Sequence, residues 1–271
     1  MNAYQKTINN GVNVWPEGVS CAVSLSFDDG KQNQIALAAP LLQKYGMRAT
    51  FYLTTHWMTV LSDAQRRRKI EQWRAILVAG HEIGNHTVAH PCSTNFPFAV
   101  ANPIRSPLES MSLAEMAEEI DQAQRMLETE LEIQPATFAY PCGSTFVGQG
   151  VHCTSYVPLV AERFIVGRSY NDECAATPLR CDLARVPATR MDNRTLPELL
   201  QLVSDASCAG DWLILVAHSI VHTPSPFSVE VTVLQSLLDH LAKCKGNIWV
   251  DTVENVGRYV SSIQAAAKQR L

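Results

Sequence analysis

The chain has 271 residues, 46% of them hydrophobic, enough for one α/β domain with a large core. A formal net charge of −4 gives nucleic acid no electrostatic footing, and no apolar run reaches the roughly 18 residues of a membrane helix. Residues 1–6 hold no charged start leading into an apolar stretch, so no secretory signal is read. The expected compartment is the cytoplasm, or the exterior if a leader has been removed.

In chain order, the first strand is expected over residues 21–27 and runs into Ser26-Phe27-Asp28-Asp29-Gly30. A helix follows over 34–45, then a strand over 49–54. The next helix, 63–77, carries the basic run Arg66-Arg67-Arg68-Lys69, read as a solvated face. A strand over 82–85 leads into Asn85-His86-Thr87-Val88-Ala89-His90. Residues 91–107, rich in Pro, Asn and Ser, read as a long loop over the mouth of the fold. Ser112-Leu113-Ala114-Glu115 is a capping box that opens a helix to about residue 131.

Strands over 137–140, 163–168, 184–188 and 212–217 come next, with helices over 196–206, 229–243 and 253–266 and a last strand over 247–250. The strand 137–140 opens into Tyr140-Pro141-Cys142-Gly143, and 212–217 into His218-Ser219. Alternating β and α patterns call for a parallel sheet, open or closed. Eight strand candidates favour closure into a barrel. No repeat or linker divides the chain, so residues 1–271 read as one domain, with its motif core over about 20–260.

Strands buried on both faces read as continuous apolar runs, and ligands collect at their carboxyl ends. The polar clusters after these runs therefore share one mouth, which brings together Asp28, Asp29, His86, His90 and His218. Two adjacent carboxylates repel unless a cation or other partner compensates. Asp and His are donors suited to zinc, and one Asp with two His leaves the open coordination of a catalytic metal. The spacing of four between His86 and His90 is that of two rings on one side of a helical turn, with Asn85 and Thr87 placed to orient them. The remaining histidines, His56 among them, read as surface or packing residues. The eight cysteines form no C-x-x-C pair, which speaks against a zinc-thiolate or redox motif. Cys174 and Cys181 are the two that could bridge in an oxidising compartment. Among aromatic side chains that could stack on a sugar, Tyr140 is favoured over Trp57, Phe96, Phe98 and Tyr170, which read as packing residues.

Ser26–Gly30, Gly80 through His90, Tyr140–Gly143, the run to His218 and Ile248-Trp249-Val250-Asp251-Thr252 resemble, in order, the motifs of the NodB-type polysaccharide deacetylases, a carbohydrate esterase family. The resemblance implies a deformed (β/α) barrel of seven or eight strands and hydrolysis of acetylated carbohydrate. It implies one divalent metal, zinc ahead of cobalt or nickel, on Asp29, His86 and His90. Asp28 would be the base, His218 the acid, and the Cys142 N–H a donor to the oxyanion. Tyr140 and Pro141 would line the site or support it. Many members carry an Arg at the position of Ala139 that pairs with an Asp and tunes the base; Arg168 and Arg190 follow strands and are the candidates to replace it. Cys142 stands where the family usually has Tyr, which alters one wall of the pocket. Two other functions fit the same barrel: hydrolysis of a small cyclic amide or ureide, and carbohydrate binding without catalysis. Neither nucleic acid nor membrane is an expected partner, and the oligomeric state is left open.

Overall fold

A computed structural model describes residues 14–100 and 106–269. Its main elements are β1 (Cys21–Phe27), α1 (Ala39–Lys44), β2 (Thr50–Leu53), α2 (Asp63–Val78), β3 (Glu82–Asn85), α3 (Leu113–Leu131), β4 (Thr137–Ala139), α4 (Val157–Arg163), β5 (Val166–Arg168), β6 (Thr189–Arg190), α5 (Leu196–Ala209), β7 (Trp212–Ala217), α6 (Val231–Lys243), β8 (Ile248–Val250) and α7 (Val253–Lys268). The apolar runs behave as expected of strands covered on both faces: every residue of β1 and β7 is buried.

Seven of these strands lie in the order β5-β4-β3-β2-β1-β7-β6, all parallel. β8 pairs with the first half of β1 through Cys21–Ile248 and Val23–Val250, while the second half of β1 pairs with β2 through Ser26–Thr50 and Phe27–Phe51. The two ends of the sheet meet. Arg168 of β5 bridges Val186, just before β6, with Val186 N donating to Gly167 O at 2.7 Å and Ser169 N to Val186 O at 2.8 Å. The sheet is thus a deformed (β/α) barrel. Gly167 permits the closure, because a Cβ there would collide with the Ala184 carbonyl oxygen.

Helices wrap the sheet for the usual reason: each hides one apolar stripe. On α3 that stripe is Met116, Ile120, Ala123, Leu127 and Leu131, and fully burying a Leu or Ile side chain contributes about 1.5–3 kcal/mol. Capping boxes open α2 with Ser62 and Gln65, α3 with Ser112 and Glu115, and α5 with Thr195 and Glu198, each stabilising its helix by roughly 1 kcal/mol. At the amino end of the barrel, buried Glu82 accepts from the Thr50 and Thr137 hydroxyls and, at 2.9 Å, from the Glu254 N–H in the first turn of α7. Burial pushes its carboxyl up to about 7 against these bonds. A carboxylate suits that helix end, where the peptide dipoles present positive charge.

Three expectations need correction. Residues 184–188 form no strand: Leu183–Arg185 is a 3-10 turn whose Ala184 N–H is taken by the Asp182 carboxylate, and pairing is confined to Val186 and β6. The stretch 163–168 is the end of α4 followed by β5, Pro158 sitting in the first turn of that helix where its missing N–H costs nothing. In the 91–107 segment Pro97–Val100 makes one helical turn; residues 101–105, like 1–6, lie outside the described residues. No helix among the described residues is long and apolar enough to cross a membrane.

Candidate active site

The carboxyl ends of the strands converge, and Asp28 stands at the centre. Its N–H continues the ladder to Ala217 O at 3.0 Å, which leaves the side chain buried in the mouth at 3% exposure. Arg168, the last residue of β5 and wholly buried, donates to Asp28 Oδ1 at 2.5 Å and to Ser169 O at 2.8 Å. Its guanidinium also lies 4.7 Å from the centre of the Tyr52 ring. Burial alone would raise the Asp28 proton affinity, but Arg168, with His86 and His218 behind it, outweighs burial and holds the carboxyl below its usual range. Arg168 is the register partner of Ala139 across β4 and β5. The guanidinium thus enters from the strand next to the one expected. Arg190 ends β6 half-buried, and no bond joins it to Asp28 among the described residues.

Asp29 leaves the strand with φ 73° and turns Oδ1 toward His86 Nε2 at 3.8 Å and His90 Nε2 at 3.7 Å. The two rings meet edge to face at 4.6 Å. Asp29 Oδ2 faces the Lys31 ammonium at 3.4 Å. The histidines do not lie on a helical turn. Their loop is irregular, with Thr87 and His90 left-handed at φ 65° and 57°, a conformation that needs support from its surroundings. Asn85 Oδ1 accepts the Thr87 N–H, Thr87 Oγ1 accepts the His90 N–H, and Glu119 on α3 accepts the Val88 and Ala89 N–H groups at 3.1 and 3.0 Å.

His86 Nδ1 lies 2.8 Å from the Ala139 carbonyl oxygen, which fixes that nitrogen as the donor and leaves Nε2 with its lone pair. Nε2 is buried and has no hydrogen-bond partner. Burial lowers the proton affinity of His86, against the pull of Asp28 and Asp29. Asp29 is held well below the usual carboxylate range: burial opposes this, and His90, His218, His86 and Lys31 overcome it. Ligand atoms of Asp29, His86 and His90 all lie within 4.8 Å of one another. A buried, unpartnered imidazole nitrogen aimed at a carboxylate oxygen, with a second imidazole beside it, fits a divalent cation.

His218 follows β7. Its Nδ1 lies 2.6 Å from Asp192 Oδ2, and its N–H donates to Asp192 Oδ1 at 3.0 Å. Burial would lower its pKa, but the Asp192 bond, with Asp28 and Asp29 nearby, raises it above the ordinary histidine value. Asp192 escaped sequence reading, although it sits two residues beyond β6 in the same kind of polar cluster as the others. Gln34 was missed too. It opens a π-helical turn, Gln34–Ala38, and its Nε2 donates to both Asp28 O (2.6 Å) and His218 O (2.7 Å), tying the two sides of the mouth together.

The turn after β4 holds the last candidates. Cys142 has φ 54°, and no acceptor pairs with its N–H among the described residues. Its sulfur is bonded to Cys92, so the turn is locked to the segment that follows His90; Cys92 Sγ also lies 3.4 Å from His90 Nδ1. The bridge is therefore Cys92–Cys142, and Cys174 and Cys181 are free. Tyr140 is no sugar platform: its ring is fully buried against Phe138 and Tyr156, and its hydroxyl donates to Ala184 O at 2.6 Å. Pro141 is buried as the first residue of the turn. Tyr170, half-exposed, sets its ring edge to face with His218 at 5.4 Å. Phe96 and Phe98 are exposed and face each other at 5.4 Å.

A family model described as polysaccharide deacetylase matches residues 19–148, the stretch that holds Asp28, Asp29, His86, His90 and Cys142. Over that stretch the chain is similar to the polysaccharide deacetylases. The deacetylase fold extends over nearly the whole chain. A structure from Mycobacterium smegmatis described as a polysaccharide deacetylase superposes with a TM-score of 0.63 at 14% identity, covering 92% of this chain and 93% of that one. The peptidoglycan deacetylase PdaC from Bacillus subtilis gives 0.54 at 17%, covering 94% and 98%. A gellan lyase from Bacillus sp is 24% identical over 266 residues, which is 92% of this chain but 10% of that protein. The chain spans between 10% and 30% of the length of the curated relatives it matches.

Proposed function

We propose that this chain is a metal-dependent hydrolase that removes acetyl groups from N- or O-acetylated sugars. The observation that carries the reading is the meeting of His86 Nε2 and His90 Nε2 on one oxygen of Asp29, at 3.8 and 3.7 Å, beside a second carboxylate kept charged by Arg168. A divalent cation on Asp29, His86 and His90, zinc first and cobalt or nickel as alternatives, would supply the Lewis acid that polarises the acetyl carbonyl and acidifies water.

The chain's own groups supply the proton transfers. Asp28 accepts the proton of the attacking water as general base, and Arg168 positions it and keeps it ionised. The Cys142 N–H, unpaired and fixed by its turn, donates to the oxygen that gains charge as the carbonyl is attacked. His218 gives its Nε2 proton to the departing sugar nitrogen or oxygen, and Asp192 holds Nδ1 so that Nε2 faces the mouth. Tyr140 and Pro141 act from behind, as the buried base of the oxyanion turn. The Cys92–Cys142 bridge favours an oxidising compartment over the cytoplasm.

The test is acetate release from a panel of N- and O-acetylated sugars by protein stripped and reloaded with zinc, cobalt or nickel. Release should require metal, and Asp28→Asn should lower turnover on the order of 100- to 10,000-fold, the usual worth of a general base, while calorimetry shows zinc still bound. Metal binding without acetate release from any sugar would count against the reading, and cyclic amides would be assayed next.

A further inference from the structure

A groove of about 540 Å³ runs beside Asp29 and His90, walled by Lys31, His56, Trp57 and Lys69. Asp29 is the single acid lining it among the described residues, and its Oδ1 is directed at the two imidazoles. Arg66 and Lys69 are the two members of the basic run on α2 that leave the solvated face; Arg66 pairs with Asp63 and Glu130, whereas Lys69 turns to the groove. It is half-buried, with its ammonium 4.3 Å from the centre of the Trp57 ring. Among the described residues no carboxylate lies within ion-pair distance of it, and burial pushes its pKa down. His56 Nε2 and Trp57 Nε1 are buried without hydrogen-bond partners. On a chain whose net charge is −4, this groove is cationic.

We infer that the groove binds an anionic oxygen group of the substrate, so that the preferred acetylated glycan is an acidic one, with a carboxylate or phosphate on the sugar unit beside the acetylated one. This rests on the deacetylase reading of the adjoining site. Lys69 is the chief determinant: its charge is half-desolvated, hence weakly screened, and the Trp57 ring limits its rotamers and offers an apolar face to the sugar. Lys31, 3.4 Å from Asp29 Oδ2, adds a second positive charge between the groove and the reacting centre.

The experiment pairs an acetylated uronic-acid oligosaccharide with its carboxyl-reduced, neutral counterpart, and adds a phosphorylated acetylated oligosaccharide as a third arm. The zinc-loaded protein is expected to show a kcat/KM about tenfold higher for an acidic substrate, as one charge-assisted hydrogen bond supplies. The difference should lie mainly in KM and shrink in added salt. Lys69→Met should collapse the acidic-to-neutral ratio toward one, while Lys69→Arg should keep most of it. Preference for either the uronic or the phosphorylated arm supports the inference and names the source of the anion. Equal kcat/KM for all three, or a ratio untouched by Lys69→Met in a variant with wild-type circular dichroism, overturns it.

If no substrate releases acetate, the deacetylase reading fails on its own, and calorimetric titration with the same oligosaccharides decides the groove. Tighter binding of the acidic glycans that Lys69→Met abolishes sustains the inference, and equal or absent binding overturns it.

Discussion

Asp28 and His218 are biased in opposite directions, each by one buried partner, and this sets the expected pH profile. Asp28 must be ionised to act as base; because Arg168 holds its carboxyl below the ordinary range against burial, the acid limb should lie low. Arg168→Met removes that opposing charge and leaves burial to raise the Asp28 pKa, so the acid limb of kcat/KM should move to higher pH. An unmoved limb with reduced turnover would reassign Arg168 to packing alone. His218 must be protonated to act as acid. Its pKa is raised by the Asp192 bond against burial, so activity should persist above the ordinary histidine value. Asp192→Asn weakens that bond and removes its charge, and the alkaline limb should move to lower pH; the full pH–rate profile of each variant measures both effects.

At the scale of elements, α3 supports the histidine loop through Glu119, which caps two N–H groups, while Asn85 donates to the Ile120 carbonyl and to Gln124. Glu119→Gln keeps one acceptor and loses the charge. Zinc affinity, measured by competition with a chromogenic chelator, should fall by about 10- to 100-fold, as loss of an outer partner does in metal sites, with little change in melting temperature. Where an element is short and its neighbours interleave, the sequence says less. β1 and β7 were legible as unbroken apolar runs ending in Asp28 and His218, and α3 as a capped amphipathic stripe. β6 was misread because its two residues follow a capped turn whose local hydrogen bonds imitate no regular period. The five principal site residues stood out because charged groups directly after buried strands are costly unless used. Gln34 and Glu119 act through bonds to backbone atoms of distant segments, and Asp192 through bonds to the side chain and backbone of His218; such partners are set by tertiary packing that no local pattern announces.

For the molecule as a whole, the Cys92–Cys142 bridge joins two mouth segments 50 residues apart in sequence. A bridge that closes such a loop stabilises the fold by about 2–4 kcal/mol, chiefly by restricting the unfolded chain. The Cys92→Ser/Cys142→Ser double variant should therefore unfold at lower denaturant concentration, and wild-type protein treated with a dithiol reductant should match it. A midpoint unchanged by either would remove the bridge from the stability account.

The pairing of Ala139 with Arg168 across β4 and β5 bears on how such chains are sorted. Filed by its third motif, this protein would join the relatives without a base-tuning arginine, because position 139 reads Ala. Filed by location in space, it would not, since one step sideways in the sheet Arg168 brings a guanidinium to Asp28. Lateral substitution of this kind is invisible to any search that walks along a single strand. It becomes apparent only when neighbouring strands are searched together.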